Sequence, residues 1–316
     1  MEYNASNVSV YVVSHKKISL DLPDGYKLIQ VNCANTGEHW ENFEHDDRME
    51  NISTKNPSYC ELTALYWIWK NSDSNIKGLC HYRRFLSSTS NVELKGKVYQ
   101  VYSREIKSKI ISKDQIVKAL EKYDVLVAQP WVPFPNKELD DLKIYCYSKD
   151  IQIMVDVINK MFPDYSEALE QLLDSKCACH YNILIANKEV FDNYCEWLFS
   201  VLGEIEKRCD ISSYDTQHKR IYGYFAELLM NVYLMKNNLK KGCYKLVMPV
   251  DYMSPKAVRS KKKLDIYNKV IDFFAVIHAT ELLYSIYRKV KKTSFERFIA
   301  CREYVENEEK KEKVFD

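Results

Sequence analysis

The amino-acid sequence predicts an α/β fold, and three observations carry that prediction. Short β-branched runs recur along the chain, apolar residues at helical spacing separate them, and polar clusters stand where the runs stop. Alternation of this kind marks strands joined by crossover helices. The first strand covers residues 8–13 (VSVYVV) and runs into Ser14, His15, Lys16 and Lys17, the kind of strand end at which open α/β sheets bind ligands. Ser14, His15 and Lys16 are therefore candidates for contacts to base, ribose or phosphate, with a plain solvated loop as the rival reading. A second apolar stretch, 26–31, follows a Pro-Asp-Gly turn. The polar region 35–56 has no periodicity and reads as a long functional loop or a flexible one.

From Pro57 a helix is predicted, because Leu62, Leu65, Tyr66 and Trp69 recur at helical spacing until Ser72 to Asn75 stops the pattern. The strand 76–80 then leads straight into His81-Tyr82-Arg83-Arg84. A helix over 113–122 precedes the strand 124–129 (DVLVAQ), which Pro130 and the proline-bearing loop 131–136 terminate. Helices are expected over 151–161 and 165–174, then a strand over 180–186 (HYNILIA) that Tyr181 and Asn182 open. Two further helices, 190–207 and 215–236, and a last strand, 246–250, complete the pattern. Trp67, Trp69 and Trp197 sit among leucines and read as core. Beyond Lys256, KAVRSKKK precedes an apolar stretch that Asp272, His278 and Glu281 interrupt, which favours an amphipathic helix with basic flanks over a membrane span. The expected organisation is one α/β domain over 1–254 and a basic amphipathic helical tail over 255–316. Such a tail can contact an anionic membrane surface, pack on the domain or make a dimer contact.

Composition narrows the functional classes. A chain of 316 residues with 46% apolar and 28% charged residues can bury a substantial core and has no disordered character. A net charge of +2 lacks the basic excess of a nucleic-acid binder. The ten cysteines are scattered through apolar segments and read as small hydrophobes, and Cys177-Ala178-Cys179 lacks the spacing of a zinc site. No basic segment followed by an apolar run opens the chain, so a cytoplasmic protein is expected.

The most informative chemistry lies in GLCHYRR, residues 78–84. His81, Arg83 and Arg84 at the end of a buried strand would set fixed positive charge at a pocket mouth, matching phosphate oxygens, unless they are spent in structural ion pairs. Seven glycines, with neither a G-x-G-x-x-G nor a P-loop pattern, exclude the glycine-rich routes to phosphate binding. Cationic side chains can neutralise a diphosphate instead, as can a divalent ion, Mn2+ or Mg2+, held on carboxylates. Asp46-Asp47 is the adjacent acidic pair available for that in the early loop, with Asp140-Asp141 as a weaker one; solvated surface charge is the simpler reading of both. Asn51, Ser53, Lys55, Asn56 and Glu61 form a polar run into the Trp-rich helix, where Glu61 is either functional or a helix-terminal charge. On the helix predicted over 215–236, Arg220 and Glu227 share a face about two turns apart. A carboxylate there, Glu227 or Asp215, can deprotonate a hydroxyl, or can simply pair with arginine.

Four blocks add a resemblance. NISTKNPSYCELTALYWIWKN, GLCHYRRF, HYNILIANKEVFDNYCEWLF and YDTQHKRIYGYFAELLMNVYL, in this order, resemble the bacterial family of uncharacterised-domain glycosyltransferases found in capsular and exopolysaccharide gene clusters. The resemblance implies a GT-A-like nucleotide-sugar-binding domain with a mixed, mainly parallel sheet flanked by helices. It implies transfer of a hexose, galactopyranose or galactofuranose, from a UDP-sugar to a polyprenyl-diphosphate-linked glycan in capsular, exopolysaccharide or O-antigen synthesis. By the same resemblance Ser14, His15, Lys16 and Asn56 face the nucleotide or donor, and His81, Arg83 and Arg84 the diphosphate. Asn182 lines the sugar pocket, and Glu227, with Asp215 next, is the base. HYRR stands where many such enzymes carry an Asp-x-Asp metal motif, so no metal site is implied here; Asp46 and Asp47 are the alternative. A non-catalytic nucleotide-sugar or glycan-binding subunit, and a metal-dependent sugar phosphotransferase, are the competing functions.

Overall fold

The computed structural model describes residues 7–88, 100–103, 105–130, 137–175 and 177–252. Its strands, in chain order, are β1 (Val8–Ser14), β2 (Tyr26–Gln30), β3 (Glu44–His45), β4 (Ile76–His81), β5 (Phe85–Leu86), β6 (Gln100–Ser103), β7 (Val125–Ala128), β8 (Leu184–Asn187), β9 (Lys241–Tyr244) and β10 (Leu246–Pro249). The helices are α1 (Cys33–Thr36), α2 (Asn56–Tyr59), α3 (Leu62–Asn71), α4 (Lys113–Leu120), α5 (Glu138–Leu142), α6 (Ser148–Met161), α7 (Ser166–Asp174), α8 (Lys188–Glu206) and α9 (Ile221–Lys236). The main sheet has the order β3-β2-β1-β4-β8-β7-β9, and β5, β10 and β6 form a small second sheet. In the main sheet β8 runs antiparallel to β4 and β7, while the remaining pairings are parallel. The expected mixed, mainly parallel sheet is thus what forms.

Every residue of β1 is buried, because the strand is covered on both faces. Its alternate residues enter different cores: Tyr11 and Val13 pack with Leu79, Val127 and the apolar faces of α3, α8 and α9, whereas Val10 and Val12 pack with Leu126, Ile185, Ile116 of α4 and Phe85. Gly78 of β4 pairs with Ile185, and a Cβ there would fall 2.7 Å from the Ile185 Cγ1. Only glycine permits that close approach.

The sequence reading differs from the structure at instructive places. The helix expected from Pro57 breaks at Cys60, whose φ and ψ are 52° and −127°. The Asn56 amide donates to the Cys60 carbonyl (2.7 Å) and to Thr63 Oγ1 (3.0 Å), holding the chain in a corner between α2 and α3 that the periodicity conceals. Tyr181 and Asn182 do not open a strand: both have positive φ, 75° and 50°, in a turn ahead of β8. The helix expected from Asp215 starts at Ile221, because Asp215 accepts from the backbone amides of Gln217 (2.7 Å) and His218 (3.1 Å) and closes a separate turn. Strand β9 has no counterpart in the sequence reading. The loop 131–136 and the tail 255–316 lie outside the described residues. Among the described residues no helix is long and apolar enough to cross a membrane.

The polar region 35–56 is not a flexible loop. Asp46 is fully buried and its carboxylate accepts four hydrogen bonds, from the amides of Asn32 (3.0 Å) and Cys33 (3.1 Å) and from the hydroxyls of Ser53 and Thr63, both 2.6 Å. These bonds tie α1, the loop and α3 together, and an ionised acceptor makes each stronger than a neutral one. Asp46→Asn replaces an acceptor by a donor facing donors. It is expected to cost about 2–4 kcal/mol of unfolding free energy, read as a lowered midpoint in urea denaturation.

Candidate active site

A cavity of about 810 Å³ opens at the carboxyl ends of β1 and β4 and beside the turn that precedes β8. Parallel sheets place their ligands at this edge. The Ser14 hydroxyl donates to the Lys16 carbonyl (2.6 Å) and accepts from the Lys16 amide (3.1 Å), and this tight turn sets His15 in the cavity wall, edge-on to Tyr82. The Lys16 side chain is exposed and does not line the cavity. Burial, followed by the charges of Lys16, Arg83 and Arg220, holds the His15 pKa below its ordinary value, so a neutral ring stands in a positive field.

After β4 the chain turns back on itself, with His81 and Arg84 exchanging backbone hydrogen bonds of 3.2 and 2.9 Å, which projects Arg83 and Arg84 into the cavity. Each guanidinium lies over an aromatic ring, Arg83 at 5.1 Å from Tyr82 and Arg84 at 4.3 Å from Tyr181. Their Nε atoms are buried without a hydrogen-bond partner, and neither arginine forms an ion pair among the described residues. Arg220, just before α9, completes the group, its Nε 3.2 Å from Cys60 Sγ. Three arginines thus converge on the cavity; Arg83 and Arg84 are not spent in ion pairs among the described residues, while the Glu61 carboxylate lies 3.9 Å from His81 Nε2 and its charge reaches Arg220.

The cavity also has an acidic wall. Glu227 of α9 accepts from His180 Nδ1 at 3.3 Å, and His180 Nε2 lies 3.6 Å from the Glu138 carboxylate of α5, with Asp141 one turn further along that helix. Glu138 is 2% exposed and its Oε1 has no hydrogen-bond partner. Burial, together with the Asp141 and Glu227 charges and despite His180, pushes the Glu138 pKa up to about 7. Burial also acts against charge on His180 and on Glu227, but their mutual hydrogen bond and attraction hold the imidazole above its ordinary pKa and Glu227 below. Between the two walls, His81 Nε2 lies 2.7 Å from the Tyr181 carbonyl, which can only accept, so Nε2 carries the proton. Burial keeps this ring neutral, leaving Nδ1 as an acceptor.

Of the residues singled out from the sequence, Ser14, His15, Asn56, His81, Arg83, Arg84 and Glu227 meet at the cavity. Asn182 does not line it: buried behind it, Nδ2 donates to Glu61 Oε1 (2.8 Å) and to the Gly223 carbonyl (3.2 Å), so that Asn182 orients Glu61. Asp215 lies outside it as well, spent on its own turn and on His218. Asp46 is saturated by its four donors, and Asp47 pairs with His39 at 2.8 Å away from the cavity, so the two do not fit a cation site. They are not solvated surface charges either. Among the described residues no group of three or more His, Cys, Asp and Glu side chains is arranged to hold a metal ion. Sequence reasoning passed over His180, Glu138 and the stacked pair Tyr145 and Tyr224, whose ring centroids are 4.9 Å apart in the cavity wall. The acidic cluster ELDD after a proline-bearing loop was the signal available for Glu138; His180 was hidden in a segment read as strand.

The family model described as Domain of unknown function (DUF4422) matches residues 9–238. The chain belongs to this family. The matched span contains every residue that lines the cavity. No curated protein matches the chain. Among solved structures, the apo structure of WbbM, a bifunctional glycosyltransferase, is similar at 29% identity with a TM-score of 0.68 over 77% of this chain. The chain spans 45% of the length of WbbM. The DUF4422 domain has a GT-A-like glycosyltransferase fold.

The carboxyl of Glu138 yields a stability test. Its pKa is raised from 4.5 to about 7, so the folded state holds the proton more tightly than the unfolded chain. The contribution of that bound proton is complete below 4.5 and is lost as the pH climbs to about 7. The loss amounts to about 3 kcal/mol by the conversion of pKa shift to free energy. Glu138→Gln is therefore expected to raise the thermal midpoint above about pH 7 by several degrees, and the gain should shrink towards zero as the pH falls to the ordinary carboxylate range.

Proposed function

We propose that this DUF4422 chain is a hexosyltransferase that moves galactopyranose or galactofuranose from a UDP-sugar to a polyprenyl-diphosphate-linked glycan. The observation that carries this reading is the meeting of unpaired cationic and carboxylate side chains at one cavity. Arg83 and Arg84, without an ion pair among the described residues, line it with Arg220, and the carboxylates Glu227, Glu138 and Asp141 stand around His180 in the same lining. A nucleoside diphosphate supplies the negative charge that the arginines lack, and its departure as the bond between the anomeric carbon and phosphate oxygen breaks is stabilised by the same groups. Glu227, kept ionised by His180, accepts the proton of the acceptor hydroxyl as the new glycosidic bond forms. The aromatic wall of Tyr145 and Tyr224 offers a face against which a sugar ring can rest. The similarity to WbbM, a glycosyltransferase by description, agrees with this chemistry. A lipid-linked acceptor places the reaction at the cytoplasmic face of the membrane, with the basic segment of the tail drawn to anionic lipid.

Thermal-shift measurements against uridine, guanosine and cytidine diphosphates and their sugars, each in EDTA and with manganese, test the donor assignment. Saturating UDP-galactose is expected to stabilise the protein by about 3 kcal/mol at a hundredfold excess over Kd, and to do so in EDTA, because the arginines provide the charge. Stabilisation that requires manganese would transfer that role to a cation; none with any nucleotide would leave a glycan-binding subunit as the better account. Arg83→Ala and Arg84→Ala should each weaken UDP-sugar binding by about 10- to 100-fold. Glu227→Gln should bind donor normally and lose about 100-fold or more in turnover; unaltered turnover would remove Glu227 from the role of base.

A further inference from the structure

We propose that His180 and Glu138 form a proton relay behind Glu227: as Glu227 takes the acceptor proton, the Nε2 proton of His180 passes to the Glu138 carboxylate. This inference rests on the transferase reading and deepens it. The geometry is linear, with Glu227 Oε2 at 3.3 Å from Nδ1 and Glu138 Oε2 at 3.6 Å from Nε2 on the opposite edge of one imidazole. The second gap exceeds a hydrogen bond, and contacts of this kind tighten when substrate closes the site. Glu138 has room to respond, since its Oε1 is buried and unpartnered and its side chain faces the cavity. A buried carboxyl in that state needs a function or a ligand to justify its cost.

The protons balance. Before transfer Glu227 and Glu138 are ionised and His180 carries both ring protons; afterwards Glu227 holds the hydroxyl proton, Glu138 holds the former Nε2 proton, and the imidazole is neutral. Once Glu227 is neutral, His180 has lost that counterion, and passing the Nε2 proton to Glu138 discharges the remaining buried ion pair without changing the net charge of the wall. Glu138 acts through His180 and is a positioning residue, not a catalytic one. The groups facing the relay are Asp141 on the same helix as Glu138, Glu227 on α9, and the Cys177 thiol, with His81, Tyr181 and Cys60 facing Glu227.

Two measurements on the full chain test it. The first is an NMR titration of the His180 imidazole, which requires no substrate. Wild-type His180 is expected to titrate above 6.5, and lower in Glu138→Gln. Titration below 6.5, or at an unchanged pH in the variant, would sink the relay. The second follows UDP released from UDP-galactose with water as acceptor. Glu138→Gln should retain donor KM within about twofold, lose about 10- to 100-fold in kcat, and show the alkaline limb of its kcat profile displaced to lower pH. A loss of kcat with the alkaline limb unmoved would make Glu138 structural and overturn the relay alone. Failure of the wild-type protein to release UDP from any UDP-sugar would instead overturn the transferase reading on which the relay rests.

Discussion

The Asp46 carboxylate is the constraint on which one whole wall of the cavity depends. It is fully buried, yet each oxygen accepts two hydrogen bonds, which repays much of the cost of removing an ionised group from water. Through Thr63 it reaches Asn56, and through Asn56 the Cys60 corner, where the backbone takes a conformation that residues with a side chain rarely adopt. The corner is what directs Glu61 towards His81 and Asn182 and brings Cys60 beneath Arg220. An early polar loop with no periodicity therefore turns out to be the anchor of the site.

Unpaired charge in the cavity lining is the second theme, and it has a cost that the fold carries. Arg83 and Arg84 without an ion pair among the described residues, and a buried glutamate with an unpartnered oxygen, both disfavour the unliganded state. Stacking on Tyr82 and Tyr181 holds the guanidiniums in place without neutralising them. His180 tempers the acidic wall, keeping Glu227 ionised while Glu138 stays close to the neutral range. Such arrangements are where stability is given up for activity.

The supporting framework, by contrast, is conventional. Strand β1 is buried on both faces, β4 approaches β8 through Gly78, and the reversed β8 delivers His180 and Tyr181 to the same edge at which β1 and β4 end. The reversal matters functionally. A parallel strand at that place would have put its amino-terminal turn on the far side of the sheet.

The sequence alone determined the elements whose information is local. Runs of β-branched residues marked β1, β4 and β7, helical spacing marked α3, α4, α8 and most of α9, and HYRR at a strand end marked the cationic wall. Glu227 was legible as a carboxylate on a predicted helix, whereas Arg220, read as sharing its face, lies in the turn before α9. The tertiary structure alone decided what depends on contacts between distant segments. It showed Asp46 to be saturated, set Asn182 behind Glu61, spent Asp215 on its own turn, and brought Glu138 to His180 across an interval of sequence that no spacing rule spans. Periodicity reports whether a side chain faces a core; which polar group meets it there depends on long-range packing, and so the chemistry of the acidic wall appears only once the chain is folded.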